Sequence, residues 1–421
     1  MSASTASARH AARPLPSRGL VVWLAILLVA MGVGLAAWLY QYSQGLVVTG
    51  LTNVVMWGQY ILFFMFFVGL SAGGLIVASA GRLFGVKAFK PIVRLAVLEA
   101  TVAIILAATF ILPDLGRPER VVNILLYGNL TSPMIWDIII VFAYMAMSIA
   151  YVWLYARADL AREHSPIALG TSASDAAAAR DQRIIGALAW VALPAAILLH
   201  SITAWIFGLQ ISRGFWYSAI MAPMFISSAL VSGLGLVILL ALVCRRFRLL
   251  HFGNDLVAML GGLLGVFIVV EAFFVFAELL TAAYPGAPEE ADAIYRLLVG
   301  PYAPIFWFEA LVGLAVPFAI LVVRRLRLDP RWVALASVIA ILGIWVHRLN
   351  LLLNGLSFLP IGIPPGASVG DAAGAPDSFA TSYWYVPTIV EWLIVLGILA
   401  FGGLIFTLAA RFLPMQEPEV H

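Results

Sequence analysis

Charged residues are scarce in this chain of 421 residues, because only 11% of its positions are Asp, Glu, Lys or Arg. Soluble domains carry roughly 25% charged residues, so the composition excludes an ordinary soluble globular protein. Hydrophobic residues make up 63% of the chain, and the mean hydropathy is +1.03. The sequence therefore predicts an integral membrane protein.

Cysteine is almost absent, since Cys244 is the single thiol of the chain. One thiol excludes an internal disulfide, and the sequence has no Cys-x-x-Cys motif or Cys/His cluster that would hold zinc or an iron–sulfur cluster. We therefore expect no metal or haem of the chain's own. Any metal centre that exchanges electrons with it would belong to a partner subunit.

Apolar runs of about 20 residues are abundant, and each is long enough to cross the hydrocarbon core of a bilayer as a helix. The runs are continuous and do not alternate, which indicates helices and not a barrel. The sequence predicts an all-α integral membrane fold with about ten transmembrane helices, grouped as two four-helix bundles plus peripheral helices. The predicted spans are 20–41, 54–80, 92–112, 133–156, 184–207, 216–243, 256–283, 302–323, 332–355 and 386–411.

Basic residues are distributed unequally between the predicted loops, and this bias sets the orientation by the positive-inside rule. With a cytoplasmic N-terminus, nineteen of the 24 Lys and Arg residues fall on the cytoplasmic side and four fall in external loops, while the remaining one is Arg348. Both termini are therefore predicted to be cytoplasmic. The apolar run 20–38 is too long for a typical signal peptide, so we expect a retained first helix.

The order of the spans gives a predicted division of the chain, although no sequence repeat relates its two halves. The predicted segments are a cytoplasmic tail (1–19), a peripheral first helix with an external loop (20–53), a first four-helix bundle (54–207), a second four-helix bundle (208–355), an external loop (356–385), and a last helix with a cytoplasmic tail (386–421).

Several ionisable residues lie inside the predicted spans, where each costs about 2.5–3.5 kcal/mol near a helix centre unless it has a partner, a water-filled cavity or a function. Arg348 either forms a structural ion pair with Glu271, Glu309 or Glu391, or lines a polar path for protons or a ligand. Glu271 and Glu278 share one helix face, which suits a proton relay or a polar stripe facing a neighbouring helix. The ionisable residues in the spans are Glu99, Asp137, His200, Glu271, Glu278, Glu309, His347, Arg348 and Glu391.

His200 and Asp137 leave similar alternatives open. His200 could ligate haem together with His347, hydrogen-bond a ligand, or bond a backbone carbonyl within the bundle. Asp137 lies four residues inside its predicted helix, in an aromatic surrounding that includes Trp57. A carboxylate there could accept a proton from a phenolic headgroup at the membrane surface.

Five motifs, taken in order, resemble those of one known family. They are FFVGLSAGG (66–74), DLGRPER (114–120), SPMIWD (132–137), HRLN (347–350) and YVPTIVEW (385–392). With these motifs and this topology, the chain resembles the NrfD/PsrC/HybB polysulfide-reductase membrane-subunit family over about residues 54–411. The resemblance implies a quinone-interacting integral membrane subunit of a modular iron–sulfur oxidoreductase, which is not catalytic alone.

The resemblance also implies where the quinone or quinol, either menaquinone or ubiquinone, would bind. The implied site lies near the external face in the first bundle, with Arg117 at its mouth, and Asp137 and His200 would carry its proton chemistry. Carried onto this chain, the implied quinone-binding residues are Asn53, Trp57, Asp114, Arg117, Asp137 and His200.

A proton path and a set of partners follow from the same resemblance. The partners would be a periplasmic-side ferredoxin-like iron–sulfur subunit and a further catalytic or cytochrome subunit. The location would be the bacterial inner (cytoplasmic) membrane, with no role for nucleic acid. The implied proton path comprises Glu99, Glu271, Glu278, Glu309 and Arg348.

Two other functions fit part of the sequence. An ion-coupled secondary transporter also has many helices with embedded carboxylates, but it predicts inverted repeats and helices broken near the midplane. Neither feature is evident, since Pro194, Pro223 and Pro317 are not paired between the halves. A structural membrane anchor without quinone chemistry would leave the embedded charges as mutual ion pairs.

Overall fold

The computed structural model of the protein describes residues 17–52, 54–162, 168–172, 174–213, 215–356, 385–413 and 415. The described residues form helices joined by turns, without a strand, and ten helical segments among them are long and apolar enough to cross a membrane. The predicted all-α membrane fold with ten spans is therefore confirmed. Most of the predicted 356–385 loop and of both tails lies outside the described residues.

Fourteen α-helices and one π-helix follow one another along the described residues. They are α1 (Arg18–Gln44), α2 (Gln59–Leu83), α3 (Val93–Asp114), α4 (Val121–Tyr127), α5 (Pro133–Arg162), α6 (Asp175–Gly208), α7 (Met221–Arg246), α8 (Asn254–Ala283), α9 (Pro288–Leu298), α10 (Ala303–Trp307), the π-helix (Phe308–Ala315), α11 (Val316–Val322), α12 (Arg324–Arg327), α13 (Pro330–Leu356) and α14 (Ile389–Phe412).

α2 is the central helix, with 89% of its most apolar window buried. It packs against α3, α6, α7 and α13. Gly73 lets α2 approach α7 closely, because an added Cβ would lie 2.0 Å from the carbonyl oxygen of Ala229, and small residues permit such approaches between membrane helices. α2 thus contacts helices of both predicted bundles, and the division at residue 207 stays a prediction.

α1 lies at the periphery and packs mainly on α14. The two helices cross at Gly34 and Gly397, where a Cβ added to Gly34 would lie 2.5 Å from the Cα of Gly397. The indole nitrogen of Trp23 donates a hydrogen bond to Thr407 over 3.1 Å. Only 17% of the most apolar window of α1 is buried, as we expect of a peripheral helix whose other faces meet lipid.

The eighth span changes helical geometry along its length, since α10 leads into the π-helix and α11 continues to Val322. A π-turn holds one residue more than an α-turn, and such turns are rare and often occur at functional sites. Gly313 of the π-helix faces Gly343 of α13, and a Cβ on either would lie 2.5 Å from the opposite Cα. The two backbones are therefore too close for any side chain to fit between them.

Several helix starts differ from the predicted spans, among them α7, which begins at Met221, five residues late. Two of these differences have a local cause in the sequence. α6 begins at Asp175, nine residues before the predicted start, because the alanine-rich stretch favours helix and the Ser174 hydroxyl accepts a bond from the Ala177 amide over 3.2 Å. α2 begins at Gln59, five residues after the predicted start. The Thr52 hydroxyl accepts bonds from the amides that follow it and folds that stretch into a turn.

Candidate functional site

Arg348 and His200 meet in the interior, although the predicted division of the chain places them in different bundles. Nη2 of Arg348 lies 3.2 Å from Nε2 of His200, donates to the Ser228 hydroxyl, and lies 3.4 Å from the carbonyl oxygen of Phe225. The guanidinium carbon lies 3.6 Å from the centroid of the Phe225 ring, a cation–π contact. These four residues are called the His200–Arg348 cluster, and it joins α6, α7 and α13.

Of the two alternatives for Arg348, the direct ion pair is not observed. Among the described residues, no carboxylate oxygen lies within 4.0 Å of its guanidinium, and Nη1 has no hydrogen-bond partner. Glu271 and Glu309 contact His347 instead. Consecutive residues of an α-helix point about 100° apart, so His347 faces α8 and the π-helix while Arg348 faces α6 and α7.

His347 joins two buried carboxylates. Its Nδ1 lies 2.8 Å from Oε1 of Glu309, and its Nε2 lies 3.9 Å from Oε1 of Glu271. Asn350 donates to the other oxygen of Glu309 over 2.8 Å, and the Ser227 hydroxyl donates to Glu271. These five residues are called the His347 network, and every contact in it is buried.

Both carboxylates of this network belong to the predicted proton path, whereas His347 and Asn350 were left out of it. The signal was present in the HRLN motif, because residues three apart on a helix lie side by side on one face. Polar residues at positions 347 and 350 therefore indicate a polar stripe on α13. The motif gives no indication of which helices that stripe meets.

Glu278 lies beside the His347 network. The Ser218 hydroxyl donates to it over 2.7 Å. A cavity of about 30 Å³ is bordered by Glu278, Glu309, His347 and Asn350, among others, which is enough space for a water molecule between polar groups. Glu278 and Glu309 thus border one small cavity, and Glu271 is connected to it through His347, with Arg348 on the adjacent face of α13.

Asp137 is held against α6. The Thr203 hydroxyl donates to Oδ1 of Asp137 over 2.6 Å, and the carboxylate is buried. Thr203 follows His200 by about one helical turn, so both side chains lie along the same face of α6. Asp137 of α5 therefore contacts the face of α6 that carries His200. These are the two residues predicted to carry proton chemistry.

Aromatic rings connect Trp57 with His200. Trp57 stacks on Trp216 with 6.1 Å between ring centroids and meets Phe207 edge-on at 5.7 Å. Phe207 lies 6.1 Å from Phe225, whose ring is 5.3 Å from the His200 imidazole. Three predicted site residues, Trp57, Asp137 and His200, therefore share the region between α2, α5, α6 and α7.

Asp114 lies with α1 and not with α6. The Gln41 amide donates to the carbonyl oxygen of Pro113 over 2.7 Å and accepts from the Tyr60 hydroxyl over 2.6 Å. Oδ1 of Asp114 is buried and has no hydrogen-bond partner among the described residues. Arg117 is exposed in the turn that follows α3, and Asn53 lies outside the described residues. The structure therefore does not join Asp114 to the Asp137 and His200 region.

Glu391 lies in the first turn of α14, and both of its carboxylate oxygens accept hydrogen bonds. It accepts hydrogen bonds from the amides of Gly50 and Thr388 over 2.7 and 2.8 Å, and from the Tyr385 hydroxyl. Tyr385 in turn accepts from the amide of Gln59 over 2.8 Å. Burial, and then the Glu391 carboxylate, raises the pKa of the Tyr385 phenol above its ordinary value, so the phenol remains a donor. Glu391 ties α14 to the start of α2.

Glu99 is the opposite case. Its side chain on α3 is 2% exposed, and neither carboxylate oxygen has a hydrogen-bond partner among the described residues. Gly74 of α2 makes room for it, because an added Cβ would lie 1.9 Å from Oε2 of Glu99. Within the same residues, no hydrogen bond joins Glu99 to the His347 network, so the predicted proton path falls into two separate parts.

The His200 imidazole has one ring nitrogen without a hydrogen-bond partner among the described residues. Arginine is always a donor, so Nε2 of His200 accepts from Arg348 and the proton resides on Nδ1. Nδ1 is buried and has no hydrogen-bond partner among the described residues, which leaves an N–H donor for a carbonyl oxygen. In the same part of the chain, no three His, Cys, Asp or Glu side chains cluster to hold a metal ion.

Comparison with known proteins decides the family. The family model described as polysulphide reductase, NrfD, matches residues 47–360. The chain belongs to the NrfD family. The resemblance seen in the five sequence motifs is therefore confirmed.

Three relatives align with nearly the whole chain. A candidate dimethyl sulfoxide reductase membrane subunit of Halobacterium salinarum is 39% identical, over 94% of this chain and 91% of that protein. A selenate reductase subunit of Mesobacillus selenatarsenatis is 27% identical, over 92% and 93%. An Hdr-like menaquinol oxidoreductase integral membrane subunit of Archaeoglobus fulgidus is 28% identical, over 92% of each chain. The names of these relatives refer to different substrates: dimethyl sulfoxide, selenate and menaquinol.

Proposed function

We propose that this NrfD-family chain is the membrane subunit of a respiratory oxidoreductase complex and binds quinone or quinol beside His200 and Asp137. The observation that carries the proposal is the buried Nδ1 of His200, which has no partner among the described residues and whose ring is held in place by Arg348. A relative whose name includes menaquinol oxidoreductase supports quinol as the ligand.

His200 and Asp137 have separate tasks in this proposal. The Nδ1–H of His200 donates to one oxygen of the head, and Arg348, which donates to Nε2, keeps this hydrogen on Nδ1. Asp137 accepts, one after the other, the two protons that quinol oxidation releases and passes each of them on, and the Thr203 hydroxyl orients the carboxylate. The bound head supplies the two-electron redox chemistry, and electrons leave to an iron–sulfur partner.

The remaining predicted residues have different places in the proposal. Trp57, with Phe207 and Trp216, supplies an aromatic wall against which a planar ring can stack. Asp114 and Arg117, on the side nearer α1, would contact the quinone as it enters, and Asn53 keeps its predicted quinone-binding role outside the described residues. The positive-inside rule favours the external face of the inner membrane for this end of the bundle, where a ferredoxin-like iron–sulfur subunit would dock.

The His347 network is the proposed route for protons away from the site. It begins next to Arg348 and passes through Glu271, His347 and Glu309 to the small cavity bordered by Glu278. Glu99 lies apart from this route and would form a separate inner part of the path. Its predicted role stays with the proposal and is tested separately.

The test is quinol-dependent turnover of the purified complex with Asp137→Asn and His200→Ala. Loss of a positioned acid–base group lowers the rate by about 10²–10⁴-fold, so both variants should be nearly inactive while the complex still assembles. Ser201→Ala is the matched control, because Ser201 neighbours His200 but donates to the carbonyl oxygen of Ile197 in its own helix. Normal turnover in both site variants would overturn the site assignment.

The same experiment separates the alternative functions. A structural anchor without quinone chemistry predicts that no quinone-site inhibitor binds the complex, and that both variants keep wild-type turnover. An ion-coupled transporter predicts substrate-driven ion flux in vesicles that contain the chain alone. Membership of the NrfD family favours the redox function, because the names of its relatives are those of oxidoreductase subunits.

A further inference from the structure

A crevice lies between α1, α3 and α14, apart from the proposed quinone site. Its volume is about 420 Å³, and its wall includes Leu28 and Gly32 of α1, Thr109 of α3, and Ile398 of α14. The crevice exists because α1 packs on α14 and touches α3 only slightly. It is an open gap on the lipid-facing side of the helix bundle.

The crevice is closed at one end, where α14 packs against both α3 and α1. Gly402 of α14 lies against the side chain of Leu106, where an added Cβ would come within 2.4 Å of it, and Gly403 lies 3.2 Å by the same measure from Leu27. At the other end, Trp38 and Pro113 form part of the wall near the ends of α1 and α3. The crevice therefore runs along the helices from the middle of the span toward that end.

The wall suits hydrocarbon and offers little to a polar head. Thr109 carries its single hydroxyl, which donates to the carbonyl oxygen of Ile105 in its own helix over 2.7 Å, and the indole N–H of Trp38 is the one other side-chain donor. A quinone ring needs hydrogen-bond partners for both of its oxygens, and one indole nitrogen does not supply them. A flexible alkyl chain needs only apolar surface.

Two exposed arginines lie at the rim of the crevice. The turn after α3 folds over the end of α1, since Gly116 lies against Leu46 and the Tyr42 hydroxyl donates to Glu119 over 3.4 Å. Arg117 and Arg120 are exposed in this turn, beside the exposed carboxylate of Glu119. Guanidinium groups at a membrane surface pair with phosphate, so the two arginines complement the phosphate of a phospholipid headgroup.

We propose that this crevice is a binding site for one phospholipid, with an acyl chain between α1, α3 and α14 and the phosphate at the Arg117 and Arg120 turn. The lipid fills the space between the peripheral first helix and the core and so fixes α1 in place. The acyl-chain part of the proposal is independent of quinone binding, because the crevice shares no wall residue with the Asp137 and His200 region. Arg117 is also assigned to the proposed quinone entrance, so the headgroup part is tested at Arg120.

Gly32→Leu tests the acyl-chain part. A Cβ on Gly32 meets nothing within 4 Å, so the larger side chain fills the crevice without striking the protein. Gly19→Leu is the matched control, because Gly19 is on the same helix, is equally free of neighbours and does not line the crevice. Thr109→Phe fills the crevice from the opposite wall and gives a second, independent occlusion.

The measurement is phospholipid and quinone retained per chain after detergent washing of the purified complex, by mass spectrometry, with thermal unfolding as the check of folding. Gly32→Leu and Thr109→Phe should each lose one phospholipid per chain, whereas Gly19→Leu should keep the wild-type amount and quinone should not change. Equal phospholipid in wild type and both occluded variants overturns the proposal. Loss of quinone in place of phospholipid overturns it as well.

Arg120→Gln tests the headgroup part in nanodiscs that contain phosphatidylglycerol and phosphatidylcholine. Removing one basic side chain should lower the enrichment of phosphatidylglycerol on the protein by about fivefold or less. Unchanged enrichment would show that the rim does not bind the phosphate and would overturn that part of the proposal.

Discussion

Glu391 and Glu99 are both buried carboxylates on membrane-spanning helices, yet their surroundings are opposite. Glu391 accepts hydrogen bonds from two backbone amides and a tyrosine, whereas neither oxygen of Glu99 has a partner among the described residues. An unpaired ion is costly in such a place. Burial alone therefore does not distinguish the two carboxylates. The number of hydrogen-bond donors that face each one does distinguish them.

Glu271 and Glu309 lie between these extremes. Each accepts a bond from a neutral donor, Ser227 or Asn350, and each also faces the imidazole of His347, which can gain or lose a proton. Glu391 is bonded to two amides and to a phenol that stays protonated, so its bonds are structural. A carboxylate beside an imidazole can pass a proton on, because imidazole gains and loses a proton near neutral pH.

The largest effect is expected from Glu391→Ala. The change leaves the amides of Gly50 and Thr388 and the Tyr385 hydroxyl without their acceptor, at about 1–3 kcal/mol for each unsatisfied donor. Thermal unfolding of the purified complex should show a large loss of stability. Glu391→Gln keeps one carbonyl acceptor and should lose less. A melting temperature unchanged by Glu391→Ala would contradict the structural role.

An intermediate effect is expected from Glu271→Gln. The change should affect the number of protons released per electron and not the stability of the protein. The amide still accepts from Ser227 but cannot take a proton from His347, so fewer protons should be released per electron while quinol oxidation continues. Proton release from reconstituted vesicles during turnover measures this ratio. Ser232→Ala is the control, because the Ser232 hydroxyl bonds carbonyl oxygens of its own helix. An unchanged ratio in Glu271→Gln would count against the route.

The smallest effect on stability is expected from Glu99→Gln. The carboxylate has no partner to lose among the described residues, and the amide has nearly the same shape, so the free energy of unfolding should change by less than about 1 kcal/mol. Thermal unfolding compares it directly with Glu391→Gln. If Glu99→Gln lowered the stability as much as Glu391→Gln does, the number of hydrogen-bond donors would not distinguish the two carboxylates.

Much of the fold was predictable from the sequence, because span length and hydropathy are local properties. Ten apolar runs predicted ten spans, and the five motifs predicted the family. The start of α6 was missed, since hydropathy marks where lipid begins and not where the helix begins. Ser174 ahead of an alanine-rich stretch was the available signal.

The contacts of the embedded polar residues were much less predictable. A single chain shows which residues share a helix face, but not which neighbouring helix that face meets. The sequence therefore left the partner of Arg348 open, and the structure places it against His200. Glu391 was different, because Thr388 and Glu391 have the spacing of a capping box. The structure has that box, and its sequence signal was overlooked.

Because of the π-helix, the direction in which Glu309 points depends on the number of residues in the eighth span. Loss of one residue from Phe308–Ala315 would return a turn to α geometry and swing Glu309 by about 100° relative to the contact between Gly313 and Gly343. Suppose that two relatives have identical residues around this glutamate but one of them lacks a residue nearby. Different side chains would then face the imidazole on α13 in the two proteins. Roles can be transferred between aligned chains here only where the length of the segment is kept.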